Sequence, residues 1–193
     1  LADQTFDQVT ALGLMPPTVL AGIDHAGKGR IDEFAPPRLG RRGGAREYAD
    51  LIFEDVVPGL VSDFHVRADR DSLGLGGSSM GGLVALWIAS TRPGKVSRLL
   101  AMSPSVWWNR RSILRVLKRQ PIDPFTRIWV DAGAREGAHV TRDAESVVDL
   151  LVAQGSTTAK YVEDPEGDHS ESSWARRLTD ALAWLHEGAQ GRS

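Results

Sequence analysis

One five-residue stretch narrows the folds open to this chain more than any other: Gly77-Ser78-Ser79-Met80-Gly81. Just before it, Leu73 and Leu75 are set among serine and glycines, the pattern of a short buried strand. Just after it, Leu83 to Ala89 is an apolar run of helical character. A strand that turns sharply into a helix, with serine at the apex and glycine two residues to either side, is the Gly-x-Ser-x-Gly nucleophile elbow, which places Ser79 at its tip. Glycines are expected at 77 and 81 because the two backbones approach too closely there for a β-carbon. The helix points its unpaired N–H groups and positive dipole end at Ser79, so the Met80 N–H is the first candidate donor to an oxyanion. Two other glycine loops fail on the letters. A P-loop needs lysine at the helix start, and a dinucleotide loop needs a third glycine where Ser79 stands.

Along the chain, apolar runs of strand length alternate with helical stripes. Phe6, Val9, Ala11 and Leu12 suggest a helix over 3–12, ended by Gly13 and Pro16-Pro17. Thr18 to Ile23 is a continuous apolar run and predicts a strand covered on both faces. Residues 24–44, rich in Gly, Pro and Arg, predict a long loop. Tyr48, Leu51, Ile52, Val56 and Leu60 mark a helix over about 46–64, bent at Pro58. Beyond the elbow, strands are predicted at 98–102, 125–131 and 158–163. Helices are predicted near 111–119, around Ala144–Leu151 and from Trp174 to Leu185, with Gly155 just past the second. Strands separated by helices in regular order imply an α/β fold, a mostly parallel sheet with helices on both faces. No repeat or linker divides residues 1–193, so a single domain is expected.

Composition excludes several classes of function. The 193 residues carry a formal net charge of −2, which gives no reason to expect nucleic acid or an anionic membrane as partner. There is no cysteine, hence no disulfide, thiolate nucleophile or thiolate metal site. No apolar run approaches the roughly 20 residues of a membrane span. No cofactor or metal is expected. The cytoplasm is the expected compartment, with periplasm or export left open because the chain starts at Leu1 rather than Met.

A serine hydroxyl needs a base, usually a histidine oriented by a carboxylate, and elbow hydrolases present them in the chain order Ser, acid, His. His25 and His65 precede the serine. His186 sits where a helix C-terminus favours a cation, and His139 lies just ahead of a helix. His169, in the loop Asp164-Pro-Glu-Gly-Asp-His169 after the last strand, is positioned to reach the elbow across the top of the sheet. The acid is expected after the preceding strand, where Asp131 and Glu136 both qualify. The carboxylates around His169 (Glu163, Asp164, Glu166, Asp168, Glu171) read as a solvated run rather than a metal site, since one histidine alone accompanies them.

At these residues the sequence resembles the putative-esterase family of α/β-hydrolases, which includes enterochelin, feruloyl and esterase-D-like esterases and the mycolyltransferases. The blocks that carry the resemblance are Leu14–Asp24, Arg30–Pro36, Gly77–Gly82, Ser103-Pro-Ser-Val-Trp-Trp108, Asp131-Ala-Gly-Ala-Arg-Glu136 and Gly167-Asp-His-Ser-Glu-Ser-Ser-Trp174. Together they span nearly the whole chain. The resemblance implies an α/β-hydrolase fold with Ser79 as nucleophile, His169 as base and Glu136, rather than Asp131, as acid. It further implies a strand, ending in His-Gly or Asp-Gly and supplying a second oxyanion donor, ahead of the segment matched by residues 3–24. Nothing in residues 1–17 fits that strand, so the N-terminal strands are expected to be missing and the native protein to extend upstream of Leu1.

The expected chemistry is hydrolysis of a small acyl ester through a Ser-His-Glu triad and an acyl-enzyme, a siderophore ester of the enterochelin type being the substrate suggested by analogy. Trp107 and Trp108 are candidate walls of the substrate site. Acyl transfer to another alcohol and a non-catalytic binding or scaffold role are the alternatives.

Overall fold

The computed structural model describes residues 2–37 and 43–187. Four parallel strands form one sheet in the order in which they occur: β1 (Gly74–Ser78), β2 (Arg98–Met102), β3 (Arg127–Gly133) and β4 (Ala159–Asp164). Each new strand is laid beside the last, so all four C-terminal ends share one edge. In open α/β sheets that edge is where sites are built. Loops leaving it carry Ser79, Ser103 to Ser105, Glu136 and His169.

The helices are α1 (Ala2–Ala11), α2 (Arg30–Phe34), α3 (Ala45–Asp50), α4 (Val57–Phe64), α5 (Met80–Thr91), α6 (Trp108–Arg119), α7 (Ala138–Ala153) and α8 (Glu171–His186). Strand alternation decides which side each covers. Leu99, Ala101, Ile128, Val130 and Ala132 face the larger core with α5, α6 and α7. Leu100, Met102, Trp129 and Val162 face α8, which packs in turn on α1. Helix α5 is apolar all round because it lies between the sheet and α2, α3 and α6; every residue from Gly82 to Ser90 is buried.

Three local features differ from the sequence expectations. The apolar run Thr18–Ile23 forms no strand, and Val19 and Leu20 are about half exposed. A strand needs a neighbour for its backbone groups, and among the described residues β1 has no partner on the side away from β2. The loop over 24–44 holds a short turn of 3₁₀ helix at Gly27–Gly29 and then α2, while residues 38–42 lie outside the described residues. The helix around Pro58 continues through a widened π segment, Leu51–Val56, that joins α3 to α4. Proline lacks an N–H and crowds the carbonyl four residues earlier, and the wider turn relieves that crowding.

The span of α6 opens on a left-handed turn, and its right-handed helix begins after Arg111, where the apolar stripe places it. The turn passes through Asn109, Arg110 and Arg111 with φ of 47°, 54° and 58°. Left-handed backbone costs roughly 1–2 kcal/mol per non-glycine residue. The Arg111 guanidinium offsets part of this by pairing with Asp143 at 2.8 Å and donating to Ser146 Oγ at 2.7 Å, both on α7.

Candidate functional site

Ser79 joins β1 to α5 with φ 57° and ψ −120°, a conformation that serine adopts only when its surroundings enforce it. The Ser79 N–H donates to the Met102 carbonyl at 2.9 Å, and the Ser79 carbonyl accepts from Leu83 N–H (3.1 Å) and Ser105 N–H (3.0 Å). A β-carbon on Gly77 would stand 2.7 Å from the Gly81 carbonyl carbon, so the glycine there is obligatory. Gly81 itself has open space at its β position. The second tight glycine is Gly82, whose β-carbon would lie 3.2 Å from both the Gly77 carbonyl oxygen and the Pro104 side chain. Met80 opens α5, so its N–H belongs to the first turn, where donors lack intrahelical acceptors.

The structure brings Ser79, His169 and Glu136 into one hydrogen-bonded row. His169 Nε2 lies 3.0 Å from Ser79 Oγ, and His169 Nδ1 lies 2.6 Å from Glu136 Oε2. A carboxylate only accepts, so Nδ1 carries the ring proton and Nε2 is left to accept from the Ser79 hydroxyl. The Glu136 side chain is 1% exposed, whereas that of His169 is 46% exposed, so the imidazole faces solvent and the carboxylate does not.

Glu136 Oε1 accepts from Gly133 N–H at 2.7 Å and from the Ser103 hydroxyl at 2.5 Å. Ser103 Oγ in turn accepts from Trp174 Nε1–H at 3.0 Å and from Arg177 Nη2–H at 2.9 Å. The edge of one ring meets the face of the other between Trp174 and His169, with centroids 5.0 Å apart. The loop before α8 is pinned as well. Asp168 accepts from the hydroxyls of Ser170 and Ser173, and these bonds, Ser170 first, hold its carboxyl below the usual range.

Asp131, the other sequence candidate for the acid, is joined to Glu136 through Arg177, which lies 3.9 Å from Glu136 Oε1, and its own bonds go to residues other than His169. It is fully buried, accepts from Trp129 Nε1–H at 2.9 Å, and pairs with Arg177 at 3.0 Å. Burial pushes its carboxyl above the usual range, with Arg177 opposing. The acidic residues near His169 also have partners: Asp164 pairs with Arg176 and Arg177, Glu166 with Arg135, and Glu163 accepts from the Tyr161 hydroxyl.

What brings the Glu136 and His169 loops together is a backbone contact. Arg135 N–H donates to the Gly167 carbonyl at 2.9 Å, and a β-carbon on Gly133 would overlap that same carbonyl. Gly133→Ala is therefore expected to push the Glu136 loop away from the His169 loop. A displacement of about 1 Å at such a site costs on the order of 10²-fold in turnover. Steady-state kinetics beside a thermal melt tests this; an unchanged kcat would mean that the contact positions nothing.

The two tryptophans of the Trp107-Trp108 pair have different places. Trp107 is 54% exposed and is free to line a substrate site. Trp108 is 7% exposed and packed in the larger core, which corrects the expectation that it walls a substrate site: burial leaves little of its ring to meet a ligand. Sequence reasoning missed the parts played by Ser103, Ser105, Trp174 and Arg177. Arg177 did leave a signal, an arginine on the same helical face as Trp174, Leu178 and Ala181, where an apolar residue belongs.

The match to known proteins covers nearly the whole chain. Residues 2–185 match the model of the family described as "Putative esterase". A siderophore enterobactin esterase of Emericella nidulans is 40% identical over 83 residues, covering 43% of this chain and 27% of that protein. A siderophore triacetylfusarinine C esterase of Aspergillus fumigatus is 34% identical over 125 residues, covering 61% of this chain and 42% of that protein. This chain thus spans less than half the length of either relative. The solved structure of an enterochelin esterase from Shigella flexneri superposes with a TM-score of 0.77 at 21% identity, over 94% of this chain and 46% of that one. At that identity the likeness speaks for the fold, an α/β-hydrolase sheet with its helices. With a family model matched from residue 2 to residue 185, the chain belongs to the "Putative esterase" family.

Proposed function

We propose that this protein is a serine ester hydrolase working through Ser79, His169 and Glu136. The observation that carries the proposal is the unbroken row from Ser79 Oγ through His169 to Glu136 Oε2, with steps of 3.0 and 2.6 Å, at the mouth of a strained strand-to-helix turn. In this mechanism Ser79 Oγ attacks the ester carbonyl while His169 Nε2 takes its proton. Glu136, held by Gly133 and Ser103, keeps the proton on Nδ1 and stabilises the imidazolium. The Met80 N–H and the α5 dipole face the oxyanion. The alcohol leaves with the proton from His169, and water then releases the acid from the acyl-enzyme. The relatives named as siderophore esterases support a siderophore-type ester as substrate, with Trp107 offering an exposed aromatic face to it.

The test is covalent labelling with a fluorophosphonate probe, the adduct located by peptide mass spectrometry. Ser79 is expected to carry it, and His169→Ala is expected to slow labelling about 10²- to 10⁴-fold, the usual worth of a general base. Labelling of other serines, or a rate indifferent to His169, would overturn the proposal.

A further inference from the structure

Ser105 lies in the loop after β2, is 2% exposed, and gives its backbone N–H to the Ser79 carbonyl at 3.0 Å. Its side chain turns to the same residue, with Ser105 Oγ 3.3 Å from Ser79 Oγ. Ser79 spends its own hydroxyl proton on His169 Nε2, so it offers Ser105 only a lone pair. Ser105 is therefore the donor and Ser79 Oγ the acceptor. The neighbouring Ser103 is not available for this, because its hydroxyl donates to Glu136.

We infer that Ser105 is a catalytic residue for the second half of the reaction, the release of the acyl group from Ser79; this rests on the ester-hydrolase proposal above. In that half-reaction water attacks the acyl carbonyl and gives a proton to His169, while the carbonyl π pair moves to the oxygen. The intermediate collapses when that pair re-forms the carbonyl and the C–Oγ bonding pair passes to Ser79 Oγ. His169 returns the proton to Oγ, and the carboxylic acid leaves. Charge collects on Oγ as the bond breaks, where the Ser105 hydroxyl points.

The length of the resting contact suits this role. Neutral O–H···O bonds cluster near 2.7–2.8 Å, whereas bonds to an anionic oxygen close to about 2.5–2.7 Å. The 3.3 Å contact is weak before reaction and strengthens as Oγ becomes negative, so its stabilisation falls on the transition state. Acylation gains less. There the ground state is the free Ser79 hydroxyl, already a good acceptor of this bond. In the acyl-enzyme Oγ is an ester oxygen and a poor acceptor, so the bond gains more strength on the way to release.

Ser105→Ala removes the hydroxyl and keeps the N–H that braces the elbow. The experiment follows p-nitrophenyl acetate by stopped flow, with intact-mass analysis of acid-quenched samples and circular dichroism to check the fold. The variant is expected to release a burst of p-nitrophenolate close to one per enzyme and to accumulate acetyl on Ser79. Deacylation should slow about 10- to 100-fold, the worth of a hydrogen bond to a charged group. Ser105→Thr, which keeps a hydroxyl, is expected to restore turnover. Wild-type deacylation in Ser105→Ala, or a parallel slowing of both half-reactions, would overturn the inference, the latter marking a structural role. A wild-type protein that neither hydrolyses the ester nor acquires acetyl on Ser79 would overturn the ester-hydrolase proposal and this inference with it.

Discussion

Glu136→Gln is expected to lower kcat for ester hydrolysis by about 10⁴-fold in a protein that remains folded, the effect known for removing the charge of a histidine-orienting carboxylate. The glutamine carbonyl can still accept from Gly133 N–H and the Ser103 hydroxyl, as Oε1 of Glu136 does at 2.7 and 2.5 Å. That arrangement turns the amide NH₂ toward His169 Nδ1, where a carboxylate oxygen now stands at 2.6 Å. A donor facing Nδ1 makes that nitrogen an acceptor and moves the ring proton to Nε2. Nε2 then meets Ser79 with a hydrogen and accepts nothing. Steady-state kinetics with p-nitrophenyl esters, paired with thermal denaturation, reads the result. A kcat within tenfold of wild type would remove Glu136 from the mechanism.

Arg177→Met is expected to produce the largest loss of stability. Arg177 is 6% exposed and lies 3.0 Å from Asp131, which is fully buried, and 3.5 Å from Asp164. Removing it strands the Asp131 carboxylate in the interior. Breaking such a pair from one side costs about 3–5 kcal/mol, which lowers Tm by roughly 10 °C in a protein of this size. The pH dependence follows from Asp131. Burial already raises its folded pKa above the ordinary 3.8 despite Arg177, and removing the guanidinium raises it further. A carboxyl whose pKa is higher folded than unfolded favours the folded state when protonated. The deficit of the variant should therefore be greatest near neutrality and shrink as pH falls through the folded pKa of Asp131. Adding Asp131→Asn should recover much of the loss at neutral pH. A deficit equal at every pH would assign the cost to lost packing of the arginine stem instead.

The parallel sheet was legible because strand-length segments, most plainly the apolar cores of β2 and β3, alternate in regular order with helices, a pattern with few alternative arrangements. Thr18–Ile23 shows where that logic fails. An apolar run favours a strand, but pairing requires a neighbour, and the letters of the run do not reveal whether one is there. The elbow was legible from spacing alone, and chain order was enough to group Ser79 with His169. The choice between Asp131 and Glu136 was not legible from chemistry, since both follow β3 and both are carboxylates; it came from resemblance. What separates them is His169, which meets Glu136 at 2.6 Å, and Trp129, whose indole N–H goes to Asp131; Arg177 and Ser103 touch both carboxylates. The left-handed turn at 109–111 was illegible too, because no glycine marks it.

The contact between Gly133 and Gly167 also bears on when the row from Ser79 to Glu136 is assembled during folding. Ser79 and His169 are 90 positions apart, and the imidazole meets the hydroxyl only once the chain has completed β3, β4 and the start of α8. Parallel strands pair through long connections, so each addition closes a large loop before any contact repays its entropy. Early folding species that hold the elbow but lack the last crossover contain the serine without its histidine. On the proposed function, regain of ester hydrolysis is thus expected to time the final docking step of refolding, whereas helical ellipticity, set by short-range structure, runs ahead of it.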